Sequence, residues 1–207
     1  MSQVASGLRS VLANARVYSL LRRLVLDEPR HARFVAEHVR ARSGDRVLDV
    51  GCGPADVLDQ LPRGVRYEGF DASDAYIARA RSRFGDRGAF RCARVDQATV
   101  DAGAFDVVLA IGVVHHLSDD ETRALHRLAR HALKAGGRLV TIDPCYADGQ
   151  SRIARFLIDR DRGRHVRDRP RYESLARETF DDVRATMRTD LLRVPYTHLI
   201  LECRKPE

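Results

Sequence analysis

Val47-Leu48-Asp49-Val50-Gly51-Cys52-Gly53-Pro54-Ala55-Asp56 is an apolar strand that runs into a glycine turn, with proline where a helix would begin. Glycine lets the backbone turn tightly and admit a ligand closely, and proline is tolerated in the first turn of a helix. In a doubly wound sheet, ligands bind beyond the carboxyl ends of the strands, where such a turn lies. Outward from it, short apolar runs alternate with helical patterns. Strands are expected at Arg46–Val50, Arg66–Phe70, Ala89–Arg94, Phe105–Ile111 and Arg138–Asp143, and helices at Ala55–Leu61, Ser73–Phe84 and Ser118–Lys134. This alternation predicts an α/β fold with a mostly parallel sheet and helices on both faces.

The flanks read differently. Leu8, Val11, Leu12 and Ala15, then Leu20, Leu21, Leu24 and Val25, recur at helical spacing, and a second helix is expected from Arg30 to about Arg42. After Asp143 a polar helix starts near Ser151, an arginine-rich loop follows, and Phe180–Thr189 and Tyr196–Cys203 read as a hairpin-like pair of strands. A chain of 207 residues fits one domain. Within it the divisions are an N-terminal helical cap (1–43), a cofactor-binding core (44–145) and a substrate-side segment with the last two strands (146–207).

Composition narrows the function. Hydrophobic residues at 44% and charged residues at 31% give a globular balance. Cys52, Cys92, Cys145 and Cys203 form no C-x-x-C pair, so neither a zinc site nor a disulfide framework is expected, and a reducing cytosol suits them. No apolar run suits a signal peptide, and the Val107–Val114 run is too short to span a bilayer, so a cytoplasmic protein without a membrane partner is expected. The net charge of +7 invites a nucleic-acid reading. Interleaved acidic residues weaken it, and an anionic small molecule stays open as a partner.

Two ligands fit the glycine turn. A dinucleotide needs G-x-G-x-x-G with its diphosphate on the helix N-terminus, but the third glycine position here is Asp56, a carboxylate that would repel it. Asp49 adds a second negative charge, better matched to S-adenosylmethionine, which carries an amino group and a sulfonium. Twenty residues after Gly51, the second strand ends in Asp71, where a carboxylate accepts the ribose hydroxyls of an adenine nucleoside.

With D-x-G-C-G-P at Asp49–Pro54, the acidic end of strand two, F-D-V-V at Phe105–Val108 and L-K-x-G-G-R-L at Leu133–Leu139, the chain resembles the class I S-adenosylmethionine-dependent methyltransferases. The resemblance covers about residues 44–143. It implies a Rossmann-like seven-stranded sheet with an antiparallel last strand, and S-adenosylmethionine as cofactor. It implies cofactor contacts at Asp49, Gly51, Cys52 and Gly53, ribose contacts at Asp71 with Ala72, and a backbone contact near Ile111. Two positions depart from the family pattern. Ala55 stands where a third glycine is frequent, a change expected to be absorbed by helix packing. Arg94 stands in the usual acidic slot for adenine, leaving Asp96 and the Val95 backbone for that contact.

The acceptor side is less determined. Asp143-Pro144-Cys145-Tyr146 looks like the D-P-P-Y of nucleic-acid amino methyltransferases but follows strand five rather than strand four, and Cys145 is expected to be a buried thiol. His115 and His116 follow strand four. One reading is a turn cap before Ser118-Asp119-Asp120-Glu121; the other is a general base for a hydroxyl acceptor, His115 foremost, oriented by Asp143. His126 and His131 lack the partners of a metal site. Between Asp159 and Arg171, six arginines face three aspartates around Gly163, either as a solvated loop with internal ion pairs or as a lid in which Arg164 or Arg167 engages an anion. Tyr18 is a further candidate for closing over the acceptor. The expectation is methyl transfer to a small molecule, at oxygen. The alternatives are an RNA or protein methyltransferase using the basic surface, and a binding module without turnover.

Overall fold

Consecutive apolar side chains decide the architecture. In the computed structural model, which describes residues 28–161 and 163–207, Val47 and Leu48 are both fully buried yet belong to cores on opposite sides of one sheet. The same alternation holds at Val107 and Val108, and at Leu139 and Val140. A strand buried on both faces reads as a continuous apolar run because successive side chains point opposite ways.

The strands are β1 (Arg46–Val50), β2 (Arg66–Asp71), β3 (Gly88–Cys92), β4 (Phe105–Ile111), β5 (Leu133–Tyr146), β6 (Arg167–Asp168), β7 (Asp182–Arg188) and β8 (His198–Arg204). They lie in the order β3-β2-β1-β4-β5-β8-β7, with the two-residue β6 beside the end of β5. Pairing is parallel from β3 through β5, and β8 runs antiparallel to both its neighbours. The expected mostly parallel sheet with an antiparallel strand is therefore present. The order reverses between β1 and β4, which makes their carboxyl ends the switch point of the sheet.

The helices are α1 (Glu28–Phe34), α2 (Asp74–Phe84), α3 (Asp119–Ala132), α4 (Arg152–Asp159) and α5 (Arg169–Arg177). Leu125, Leu128 and Ala129 of α3 and Tyr172 and Ala176 of α5 pack on one face, and Phe34 of α1 with Ile77, Ala80 and Phe84 of α2 pack on the other. Ser118 starts α3 with a reciprocal cap: its hydroxyl accepts from the Glu121 N–H, and its own N–H donates to the Glu121 carboxylate.

Three local expectations are corrected. Where Ala55–Leu61 was expected to be helical, only one 3₁₀ turn forms, at Asp56–Asp59. Ala55 has a left-handed φ of 57°, and Pro62 disfavours helical geometry at Leu61, so the turn is limited at both ends. The arginine-rich segment is not simply a loop, because Asp168 caps α5 by accepting from the Arg171 N–H, with Pro170 in the first turn. The helix expected over Arg30–Arg42 is α1 followed by a π turn at Val35–Val39, ended by Arg40 at φ 50°. The pattern read over 8–25, with Tyr18, lies outside the described residues.

Candidate active site

At the switch point, the turn after β1 is stitched to β2. Gly51 and Cys52 donate their N–H groups to the Phe70 carbonyl at 2.7 and 3.0 Å. Gly53 donates to Asp71 Oδ2 at 2.9 Å, and Ser73 donates to Asp71 Oδ1 at 2.8 Å. Asp71 thus holds both the glycine turn and the entry to α2. A carboxylate has about four acceptor sites, so each oxygen keeps room for a hydroxyl. Gly51 is required twice over: its φ is 72°, and a Cβ there would lie 2.6 Å from Val113 Cγ2. Through Val113 the turn touches the segment that carries His115.

Asp49 is 2% exposed. One oxygen accepts from the Tyr67 hydroxyl at 2.6 Å, and the other, Oδ1, meets no donor among the described residues. Burial pushes its carboxyl up to about 7, against the pull of the Tyr67 bond and with the added repulsion of Asp71. A buried oxygen left unpaired beside a glycine turn suits a ligand that brings a cation. The residues present therefore fit S-adenosylmethionine, whose amino group and sulfonium are both positive. Asp56, by contrast, pairs with Arg83 of α2, so its charge is already met inside the protein. Ala72 is exposed beside Asp71, and Ile111 ends β4 half-buried. Val95 packs against the core, while Asp96 accepts from the N–H groups of Ala98 and Thr99 and so closes its own turn.

On the side where the sequence predicts the acceptor, β4 and β5 bring His115 and Asp143 together. His115 donates from its backbone N–H and from Nδ1 to Asp143 Oδ1, at 3.1 and 2.7 Å. Asp143 is 2% exposed and its Oδ2 has no partner among the described residues. His115 Nε2 lies 3.3 Å from Asp161 Oδ1. Burial alone would depress the imidazole, but the hydrogen bonds and charges of the two aspartates outweigh it and raise its pKa to about 9. The two aspartates thus favour the protonated imidazole, the form opposite to that of the general base expected from the sequence. His116 is exposed, its ring stacked at a tilt 4.0 Å from that of His115.

The arginine candidates separate. Arg167 is 8% exposed and its guanidinium donates to Asp119 and to the Val114, Leu117 and His165 carbonyls. Its donors are engaged in holding the segment after α4 against the β4–α3 junction, not presented to a substrate. Arg164 is exposed. Cys145 is fully buried and its thiol is pushed up to about 12, chiefly by burial, which makes it inert. Among the described residues no cluster could hold a metal ion, and no helix is long and apolar enough to cross a membrane.

Sequence reasoning missed Asp161, Tyr196 and Tyr67. Asp161 was counted among the charges of an arginine-rich loop, and Tyr196 was only the first residue of an expected strand. Tyr67 had one legible signal, since it precedes Asp71 by four positions on β2 and must share a sheet neighbourhood with β1. The Tyr196 hydroxyl donates to Asp161 Oδ2 at 2.8 Å, and Tyr196 also lines a half-open cavity of about 480 Å³ between the start of α4 and residues 189–197.

Residues 47–137 match the family model of a methyltransferase domain. Among curated proteins, the chain is 32% identical over 109 residues to the 27-O-demethylrifamycin SV methyltransferase of Amycolatopsis mediterranei, covering 49% of this chain and 39% of that protein. It is 37% identical over 98 residues to the ubiquinone biosynthesis O-methyltransferase of Azorhizobium caulinodans, covering 44% and 37%. The chain spans about two fifths of the length of these relatives. Among solved structures, the Haemonchus contortus phosphoethanolamine N-methyltransferase 2 in complex with phosphomonomethylethanolamine and S-adenosylhomocysteine superposes with a TM-score of 0.74 at 16% identity, over 97% of this chain and 59% of that one. At that identity the likeness is one of fold.

Proposed function

We propose that the chain, whose residues 47–137 match a methyltransferase domain and whose fold is that of solved methyltransferases, is a class I S-adenosylmethionine-dependent methyltransferase that transfers a methyl group to an oxygen of a small-molecule acceptor. The observation that carries this is the adjacency of two half-sites at one switch point. The glycine turn, held by Asp71, packs against Val113, two residues before His115 and its two aspartates. The relatives named for O-methylation support oxygen as the acceptor atom.

When bound, S-adenosylmethionine supplies a methyl group on a sulfonium, and the acceptor's lone pair forms the new bond while sulfur keeps the electron pair. The protein's share is then mostly alignment. Asp49 would meet the cofactor's positive charge, Asp71 with Ala72 its ribose, Gly51, Cys52 and Gly53 its approach to the backbone, Ile111 a backbone contact, and Val95 with Asp96 its base. Residues 44–145 would form the cofactor half, with 1–43 and 146–207 building the acceptor half. Calorimetry with S-adenosylmethionine, S-adenosylhomocysteine and NAD tests the first half. Binding of the first two without NAD is expected, and comparable affinity for NAD would overturn it. Release of S-adenosylhomocysteine with methylated product from a panel of hydroxylated and acidic acceptors tests the second.

A further inference from the structure

Asp161 has three donors trained on it. His115 Nε2 faces Oδ1 at 3.3 Å, the Gly163 N–H donates to the same oxygen at 2.9 Å, and the Tyr196 hydroxyl donates to Oδ2 at 2.8 Å. The three come from different stretches of chain, and close packing holds them. A Cβ on Gly163 would lie 2.1 Å from His115 Cδ2, so only glycine lets the backbone lie against the imidazole. The His165 N–H donates to the His115 carbonyl at 2.9 Å, and Arg167 ties the next residues down. The charges facing His115 are also unequal in access. Asp143, from β5, is sealed at 2% exposure, while the Asp161 side chain is 28% exposed. The other ionisable neighbours are His116 beside it, His198 at the start of β8, and Tyr196 and His165 across it. Of these, His198 is held neutral by burial, which pushes it down to about 4.

From this geometry we propose that the three donors are the seat of an organic acid acceptor, and that the Asp161 carboxylate occupies it in the free protein. The proposal rests on the methyl-transfer reading above and names its substrate class. Asp143 is the permanent counterion of the imidazolium, and Asp161 is the exchangeable one. A carboxylate or an acidic phenol, ionised at neutral pH, takes the place of Asp161 on His115 Nε2 and the Tyr196 hydroxyl. Its proton is already lost to solvent, so His115 has none to remove and holds the anionic oxygen in place. The cavity of about 480 Å³ that Tyr196 also lines, with Ala154, Leu192, Val194 and Pro195 in its wall, gives room for an apolar body attached to the acid group. A neutral alcohol of the same shape finds a cation with no anion to offer it.

The test uses acetate as the probe, without the cofactor. In Asp161→Gly and Asp161→Asn, the His115 pKa, followed by nitrogen NMR on histidine-labelled protein, should fall by ~1–3 units as one of two flanking charges is removed. Acetate should then restore it saturably in Asp161→Gly, chloride at equal ionic strength should not, and His115→Gln added to Asp161→Gly should abolish acetate binding. Asp161→Asn keeps the shape of the site, so it carries the pKa measurement if the glycine variant folds poorly. Acetate acting no better than chloride, or binding equally without His115, overturns the proposal. So does turnover by wild-type protein of neutral alcohols in preference to benzoates and acidic phenols. Absence of S-adenosylmethionine binding would instead defeat the methyl-transfer reading and leave the acetate result to stand alone.

Discussion

Asp49 and His115 are shifted the same way for opposite reasons. The Asp49 carboxyl is raised from 3.8 to about 7 because burial disfavours its charge, and the bond from Tyr67 does not compensate. A cationic ligand needs the ionised form. Cofactor affinity should therefore strengthen as pH rises through about 7 and level off above it, weakening by up to about tenfold per unit on the acid side. Calorimetry across that range, repeated with Asp49→Asn, should show the dependence flatten in the variant. His115 is raised from 6.5 to about 9 because two aspartates favour its charge more than burial opposes it. A group whose folded pKa lies above its unfolded value stabilises the fold fully below the lower pKa and loses that contribution as pH climbs through the higher one. Between pH 6.5 and about 9, thermal stability of the wild type should fall more steeply than that of His115→Gln. Parallel curves would mean that the imidazole does not carry this charge.

At the scale of elements, the turn after β1 shows what a third glycine does there. Ala55 was expected to be absorbed by helix packing, but its φ of 57° places it in the left-handed region that glycine enters freely. The strain costs ~1–2 kcal/mol, while its buried methyl contributes roughly 0.8 kcal/mol that glycine would forfeit. Opposed terms of similar size predict that Ala55→Gly changes stability by less than about 1 kcal/mol, measured by urea unfolding. Gly51→Ala has no such offset. It adds strain and a Cβ 2.6 Å from Val113, and each is worth ~1–3 kcal/mol, so that variant should unfold at clearly lower denaturant.

Across the whole molecule, Arg167 is one of the ties that hold the segment between α4 and α5 at the site, beside the β5–β6 pairing and the His165–His115 backbone bond. The guanidinium binds Asp119 at the start of α3 and the carbonyls of the β4–α3 connection. Arg167→Ala should lower stability by ~1–3 kcal/mol, the scale of hydrogen bonds to a charged group. It should also speed tryptic cleavage between α4 and α5, with cofactor affinity unchanged. An unchanged melting temperature with a raised acceptor KM would return Arg167 to the role of substrate ligand.

The sheet was legible because its physics is local. Apolar runs such as Phe105–Ile111, turn residues such as Gly51 and Gly53, and caps such as Ser118 act within a few positions, and each agreed with the same fold. α5 was legible too, had Asp168 and Pro170 been weighed as a cap ahead of the arginines. The pairing of His115 with Asp143 could be anticipated because β4 and β5 are neighbours, so their ends must meet. Its electrostatics could not. Asp161 and Tyr196 are 46 and 81 positions from His115, and no periodicity links residues so far apart. Only the packing that seals Asp143 and sets Asp161 against Nε2 brings two carboxylates onto His115 and raises its pKa. By itself, the sequence determined the mostly parallel α/β sheet and the glycine turn after its first strand. The charges that flank His115 were decided by tertiary structure, because burial and the count of opposing charges exist only once distant segments are brought together.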